Sequence, residues 1–211
     1  MSTDQEAREQ VIQVTNELYS LGLMTATGGN VSALGAEPGT IWITPTRMYK
    51  GGLGARDLVR IDSAGNILEG ERAPSIEWRM HFTSYVARPG SSGAVHTHAP
   101  IATAFGITNQ SFPPINTDAV FLRDTVTVPW IMPGTRELAD AVGEALRKSR
   151  GCILQNHGLM TVGKDPRDAA TLAMVLEETA KIVLYVKQFG GDVSLIPPHW
   201  VEQVAQLIHF V

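Results

Sequence analysis

The chain of 211 residues is 44% hydrophobic and 18% charged, with a formal net charge of −4, the balance of one globular domain, 1–211, with a sizeable core. No basic run is present, which excludes nucleic acid as an expected partner, and no apolar run reaches membrane-spanning length, which excludes a membrane. The polar start, Met1 to Gln10, is unlike a signal or transit peptide, so a cytoplasmic location is expected.

In chain order, Ala7, Val11, Val14, Thr15, Leu18 and Leu21 recur at helical spacing, predicting a one-sided helix from Asp4 to Leu21 that Gly22 ends. Thr27-Gly28-Gly29-Asn30-Val31-Ser32 is a glycine turn feeding a strand. Its glycines either simply turn the chain or let backbone N–H groups approach an anion, with Asn30 adding a side-chain donor. Residues 41–44 and 58–61 read as short strands around the loop Pro45 to Gly52, and 62–66 as a turn. A helix is predicted from Pro74-Ser75 to about Arg88, with Ser75 as N-cap. Glu77 then falls in the first turn, where a negative charge suits the helix dipole. Gly93 to Pro100 reads as a strand, followed by a helix from Ile101 to Phe105, a Pro-containing connection from Gln110 to Asp118, the apolar run 119–122 and an edge strand at 126–130. An amphipathic helix starts near Thr135. Residues 152–155 and 159–162 form two strands joined by the turn Asn156-His157-Gly158, a long helix covers Pro166 to Phe189, and a short terminal helix lies within Trp200–Val211. The lone cysteine, Cys152, sits in an apolar run and reads as a buried, inert thiol. Short turns between strands predict an antiparallel or mixed sheet covered by helices.

The chemistry centres on His96 and His98. Alternation along a strand puts them on one face with Ala94, close enough to share one cation. His157, at the tip of its turn, is the best third ligand, and three histidines with an acid nearby can hold Zn²⁺ while leaving a position for substrate. His81, His199 and His209 read as structural or surface residues.

Six stretches, in order, resemble the class II aldolase/adducin family in its fuculose-phosphate aldolase branch. They are Thr27-Gly28-Gly29-Asn30-Val31-Ser32, Ile43-Thr44-Pro45-Thr46, Pro74 to His81, His96-Thr97-His98, Pro133 to Leu138 and Asn156-His157-Gly158. The resemblance implies an α/β (α+β) fold of three layers, a central, mostly antiparallel sheet flanked by helices, and a homotetramer with active sites between subunits. It implies Zn²⁺, or Mn²⁺ or another divalent metal, on His96, His98 and His157, with Glu77 as acid/base and as a metal ligand when substrate is absent. Gly29, Asn30, Thr46 and Ser75 are the implied phosphate contacts. The implied reaction is cleavage of a ketose 1-phosphate of the fuculose- or deoxyribulose-phosphate type, through a metal-stabilised enediolate, to dihydroxyacetone phosphate and an aldehyde.

Three positions depart from the sugar-phosphate members. Ile76 stands where they carry a second serine, Arg47 where they carry glycine, and no tyrosine occurs in 114–118, where they have a proton donor. Arg47 offers a bidentate donor for phosphate or carboxylate, and Asp118 aligns loosely with an aspartate used by the family's pentulose-phosphate 4-epimerase. A metal-dependent decarboxylase of a hydroxy or keto acid and an epimerase are thus alternatives to the aldolase. A non-catalytic scaffold of the adducin kind is the alternative that His96, His98, His157 and Glu77 count against.

Overall fold

The computed structural model describes residues 3–110 and 112–207. The chain opens with α1 (Asp4–Ser20), which Thr3 caps in a reciprocal box with Glu6 and which ends at Gly22, φ +73°. Then come β1 (Asn30–Leu34), β2 (Thr40–Ile43), β3 (Val59–Asp62), β4 (Ile67–Glu69), α2 (Trp78–Ala87), β5 (Gly93–Thr97), α3 (Pro100–Ile107) and α4 (Thr117–Val120). β6 (Val126–Val128), α5 (Arg136–Lys148), β7 (Gly151–Leu154), β8 (Gly158–Gly163), α6 (Pro166–Gln188) and α7 (Pro198–Leu207) complete it.

The strands form one sheet in the order β4-β3-β2-β1-β5-β8-β7-β6, antiparallel throughout except where the edge strand β6 runs parallel to β7. Alternation along the strands divides the core in two. Val31, Ala33, Trp42, Val95, Ile153 and Leu159 join the apolar faces of α1, α3 and α6. Ile41, Ile43, Ala94, Cys152, Leu154, Met160 and Val162 face α2 and α5. This is the expected three-layer arrangement, and each fully buried Leu or Ile contributes about 1.5–3 kcal/mol.

Several boundaries differ from the sequence expectation. β4 and the short α4 were not foreseen: β4 is exposed along its length and so lacks an alternating apolar signal, and α4 is a single turn capped by Asn116. The first turn of α2 begins at Trp78, so Ser75 is not its N-cap, and Glu77 occupies the cap position without a side-chain capping bond. β5 ends at Thr97, and Pro100 starts α3 at its first turn, leaving His98 in the link between them. The terminal helix runs to Leu207, while His209 lies outside the described residues. Among the described residues no helix is long and apolar enough to cross a membrane.

Candidate active site

The site lies at the end of the sheet where β1, β5 and β8 leave the core. The antiparallel register sets Asn30 opposite His96 and Thr97 opposite Leu159. The three-residue loop after β7 closes with His157 N–H donating to the Leu154 carbonyl at 3.0 Å. Asn156 takes a left-handed φ of 58° in that loop, a conformation asparagine tolerates better than most residues. His157 is thereby swung over His96 and His98, with ring centroids 4.7 and 5.2 Å away. Gly28 makes room for His98: a Cβ there would lie 2.5 Å from His98 Nδ1. The glycine turn thus serves the histidine cluster directly, and Gly29, φ +89°, completes it.

His96 is fully buried and donates from Nδ1 to the Leu159 carbonyl at 2.8 Å, which leaves the Nε2 lone pair facing the cluster. His98 Nε2 is 3.1 Å from that atom. Glu77 sends Oε2 to 3.4 Å from His96 Nε2 and Oε1 to 3.3 Å from His157 Nε2. The ligand atoms of His96, His98 and His157 all lie within 4.8 Å of one another. Burial is the largest influence lowering the pKa of all three imidazoles from 6.5, and His96 lies well below it. Neutral nitrogens and a carboxylate then converge on one point as acceptors, and Glu77 Oε1 has no hydrogen-bond partner. Such a set repels itself unless a cation sits among it, so these residues fit a divalent metal.

Three loops are stitched together beside this cluster. Thr44 Oγ1 accepts from Val31 N–H at 3.2 Å, the Thr44 carbonyl accepts from Ser75 N–H at 3.1 Å, and a bridge joins Pro45 to Pro74. On these loops Asn30 and Ser75 are buried and Thr46 is half-buried, and Ser75 Oγ accepts from Glu77 N–H at 3.3 Å. Asn30 is largely committed: its Oδ1 lies 2.5 Å from His81 Nε2 and its amide donates to Glu77 Oε2 at 2.8 Å.

Arg47 is exposed at φ 54°, the left-handed region that favours glycine, and among the described residues its side chain has no hydrogen bond or ion pair. Ile76 is 54% exposed and packs by Gly134. Asp118 stands on the exposed side of α4, lining with Arg88 and Arg150 a cleft by Gly163, the far end of β8 from His157. Within one chain, Asp118 is therefore not brought to the histidines.

Two residues escaped sequence reasoning. His81 takes the structural of its two readings, fully buried behind Asn30, a contact the sequence did not show, and burial pushes its pKa down to about 3. Lys50 is 1% exposed, with Nζ donating to the Pro45 carbonyl at 2.8 Å, and burial lowers its pKa to about 8. Its charge acts on Glu77, His96 and His98. A lysine in a polar loop gives no sequence signal of burial. His81 did give one, lying four residues after Glu77 on the same helix.

A three-histidine, one-carboxylate cluster at the end of a mostly antiparallel sheet, with a glycine turn beside it, makes this an α/β protein whose residues fit a divalent metal. Residues 9–184 match the model of the class II aldolase and adducin N-terminal domain, and the chain belongs to that family. It is 32% identical over 203 residues to a 5-deoxy-D-ribulose 1-phosphate aldolase of Bacillus thuringiensis, covering 96% of this chain and 95% of that one. To the L-fuculose phosphate aldolase of Escherichia coli it is 36% identical over 177 residues, 83% and 81% of the two chains. A solved L-fuculose 1-phosphate aldolase superposes with a TM-score of 0.90 at 28% identity, over 99% of this chain and 98% of that one. Each of these relatives is named as a sugar-phosphate aldolase.

Proposed function

We propose that this protein is a divalent-metal-dependent aldolase that cleaves a ketose 1-phosphate, of the deoxyribulose- or fuculose-phosphate type, to dihydroxyacetone phosphate and an aldehyde. The observation that carries this is the convergence of His96, His98, His157 and Glu77 on one point as acceptors. His96, His98 and His157 would hold the cation, Zn²⁺ or Mn²⁺, with Glu77 as a further ligand in the free enzyme. When bound, the cation supplies Lewis acidity to the substrate carbonyl and its neighbouring hydroxyl.

In cleavage the C4 hydroxyl proton passes to the free Oε1 of Glu77, the C4 oxygen becomes a carbonyl, and the C3–C4 electron pair passes to the ketose fragment. Glu77 then returns that proton to C3, which regenerates the carboxylate. Gly29 and Asn30, Thr46 and Ser75 would hold the phosphate, with the Lys50 charge favouring an anion in the same region. A cytoplasmic homotetramer with sites at subunit interfaces is the assembly that goes with this reading, and exposed Trp130 and Met132 are apolar groups suited to such contacts.

One observation favours a second reading. Ile76 leaves the phosphate cradle a donor short, and exposed Arg47 offers a fork in its place, as suits a metal-dependent decarboxylase of a hydroxy or keto acid whose carboxylate Arg47 would hold. Purified, metal-loaded protein incubated with L-fuculose 1-phosphate, 5-deoxyribulose 1-phosphate, their unphosphorylated sugars and a panel of hydroxy and keto acids separates the two. Release of dihydroxyacetone phosphate from the esters alone is expected; release of CO₂ from an acid without it would replace the aldolase with the decarboxylase.

A further inference from the structure

We propose that His81 is a positioning residue for Glu77, acting through Asn30. Glu77's role as metal ligand and proton carrier is taken from the reading above. On α2, His81 and Tyr85 are four residues apart and share a face; on β1, Asn30 and Ser32 are two apart and share a face. The two pairs meet. Ser32 Oγ lies 2.7 Å from His81 Nδ1 and 2.6 Å from the Tyr85 hydroxyl, and His81 Nε2 meets Asn30 Oδ1 at 2.5 Å. Asn30 then donates to Glu77 Oε2 at 2.8 Å. Tyr85, Ser32, His81, Asn30 and Glu77 are all buried.

The direction of every bond in this chain follows from its end. A carboxylate only accepts, so the Asn30 amide nitrogen faces Glu77 and its oxygen faces His81. That oxygen only accepts, so His81 carries its hydrogen on Nε2. Nδ1 of the neutral ring then accepts from Ser32, whose oxygen accepts from Tyr85. Four side chains, Tyr85, Ser32, His81 and Asn30, donate in one sense towards Glu77 Oε2, and Oε1 is left without a partner. The consequence is an asymmetric carboxylate, with one oxygen pinned and the other free towards His157. Without the donor from His81, the Asn30 oxygen loses its partner, and only the bond to Glu77 is left to fix the amide's position. A histidine that merely filled the core would need neither its tautomer nor its contact with Asn30.

Two isosteres separate these roles. In His81→Gln the side-chain amide nitrogen falls where Nε2 was and can still donate to Asn30; in His81→Asn the amide reaches only as far as Nδ1 and the link is cut. Co²⁺ is the probe, read by its visible absorption and its dissociation constant in the absence of substrate. His81→Asn should change the Co²⁺ spectrum and weaken binding about 10- to 100-fold, while His81→Gln keeps the wild-type spectrum. Asn30→Ala, which removes the link itself, should move the spectrum the same way as His81→Asn and covers the case in which that variant does not fold; Ser32→Ala, which like His81→Gln leaves a donor on Asn30 Oδ1, should keep the wild-type spectrum. In a Glu77→Gln background, His81→Asn should add nothing further. Wild-type Co²⁺ binding in His81→Asn, or in Asn30→Ala where that variant does not fold, overturns the proposal. So does an equal effect of Gln and Asn at position 81, or an effect that persists without Glu77. No substrate enters these measurements, so a failed aldolase assay and a failed positioning role are told apart. Where turnover is measurable, His81→Asn lowers kcat with KM little changed.

Discussion

At the residue scale, Glu77 shows how one side chain can have two physical explanations that only geometry separates. As an acid at the start of a helix it suits the helix dipole, which is worth typically 0.3–1 kcal/mol at an exposed site. In the fold it makes no capping bond; its oxygens go to Asn30, His96 and His157. Glu77→Gln should therefore leave the melting temperature within a few degrees of wild type and lower turnover by roughly 10²–10⁴. Thermal melts and steady-state rates on the metal-loaded enzyme check this, and near-normal turnover would return Glu77 to a helix-end role. Arg47 is the opposite case, a residue type that suits an anion but stands exposed on left-handed backbone.

At the scale of the element, the loop between β7 and β8 is a device for aiming His157. Its register is set by pairing of Leu154 with Gly158, and its reversal needs a left-handed residue, which Asn156 supplies. A β-branched side chain tolerates that backbone poorly, at about 1–2 kcal/mol. Asn156→Val should lower both stability and bound metal, whereas Asn156→Gly should keep the metal. Metal content after dialysis, measured beside the melt, is the check; full metal retention in the valine variant would mean that the loop does not aim the ligand.

Across the whole molecule, the sheet end gathers four histidines into a place where water is scarce. Burial is the largest cause lowering each: His81 goes to about 3, His96 lies well below 6.5, and His98 and His157 are also lowered. A group whose pKa is lower folded than unfolded binds fewer protons in the folded state. The stability is therefore fully present above pH 6.5 and is lost as pH falls from there towards the folded values. Metal-free protein should show a falling urea midpoint from about pH 6.5 down to pH 4, and bound metal should steepen the dependence because the ligands must stay deprotonated. A midpoint flat over that range would show that the imidazoles are not held neutral by the fold.

Much of this was legible from residue order. The period of apolar residues marked α1, α5 and α6, and the alternation in Gly93 to His98 paired His96 with His98, because these patterns are local consequences of backbone geometry. The family motifs and the three metal-ligand candidates were also readable, since each lies in a short contiguous stretch. What the tertiary structure alone decided was proximity and burial. It turned Glu77, at the start of α2, towards the histidines instead of into a cap, and it kept Asp118 at the other end of the sheet. It withdrew Lys50 and His81 from solvent, and it tied Asn30 to both His81 and Glu77. Those facts depend on which strands become neighbours and on what α2 covers, and such contacts between residues about 50 positions apart leave no periodic trace in the chain.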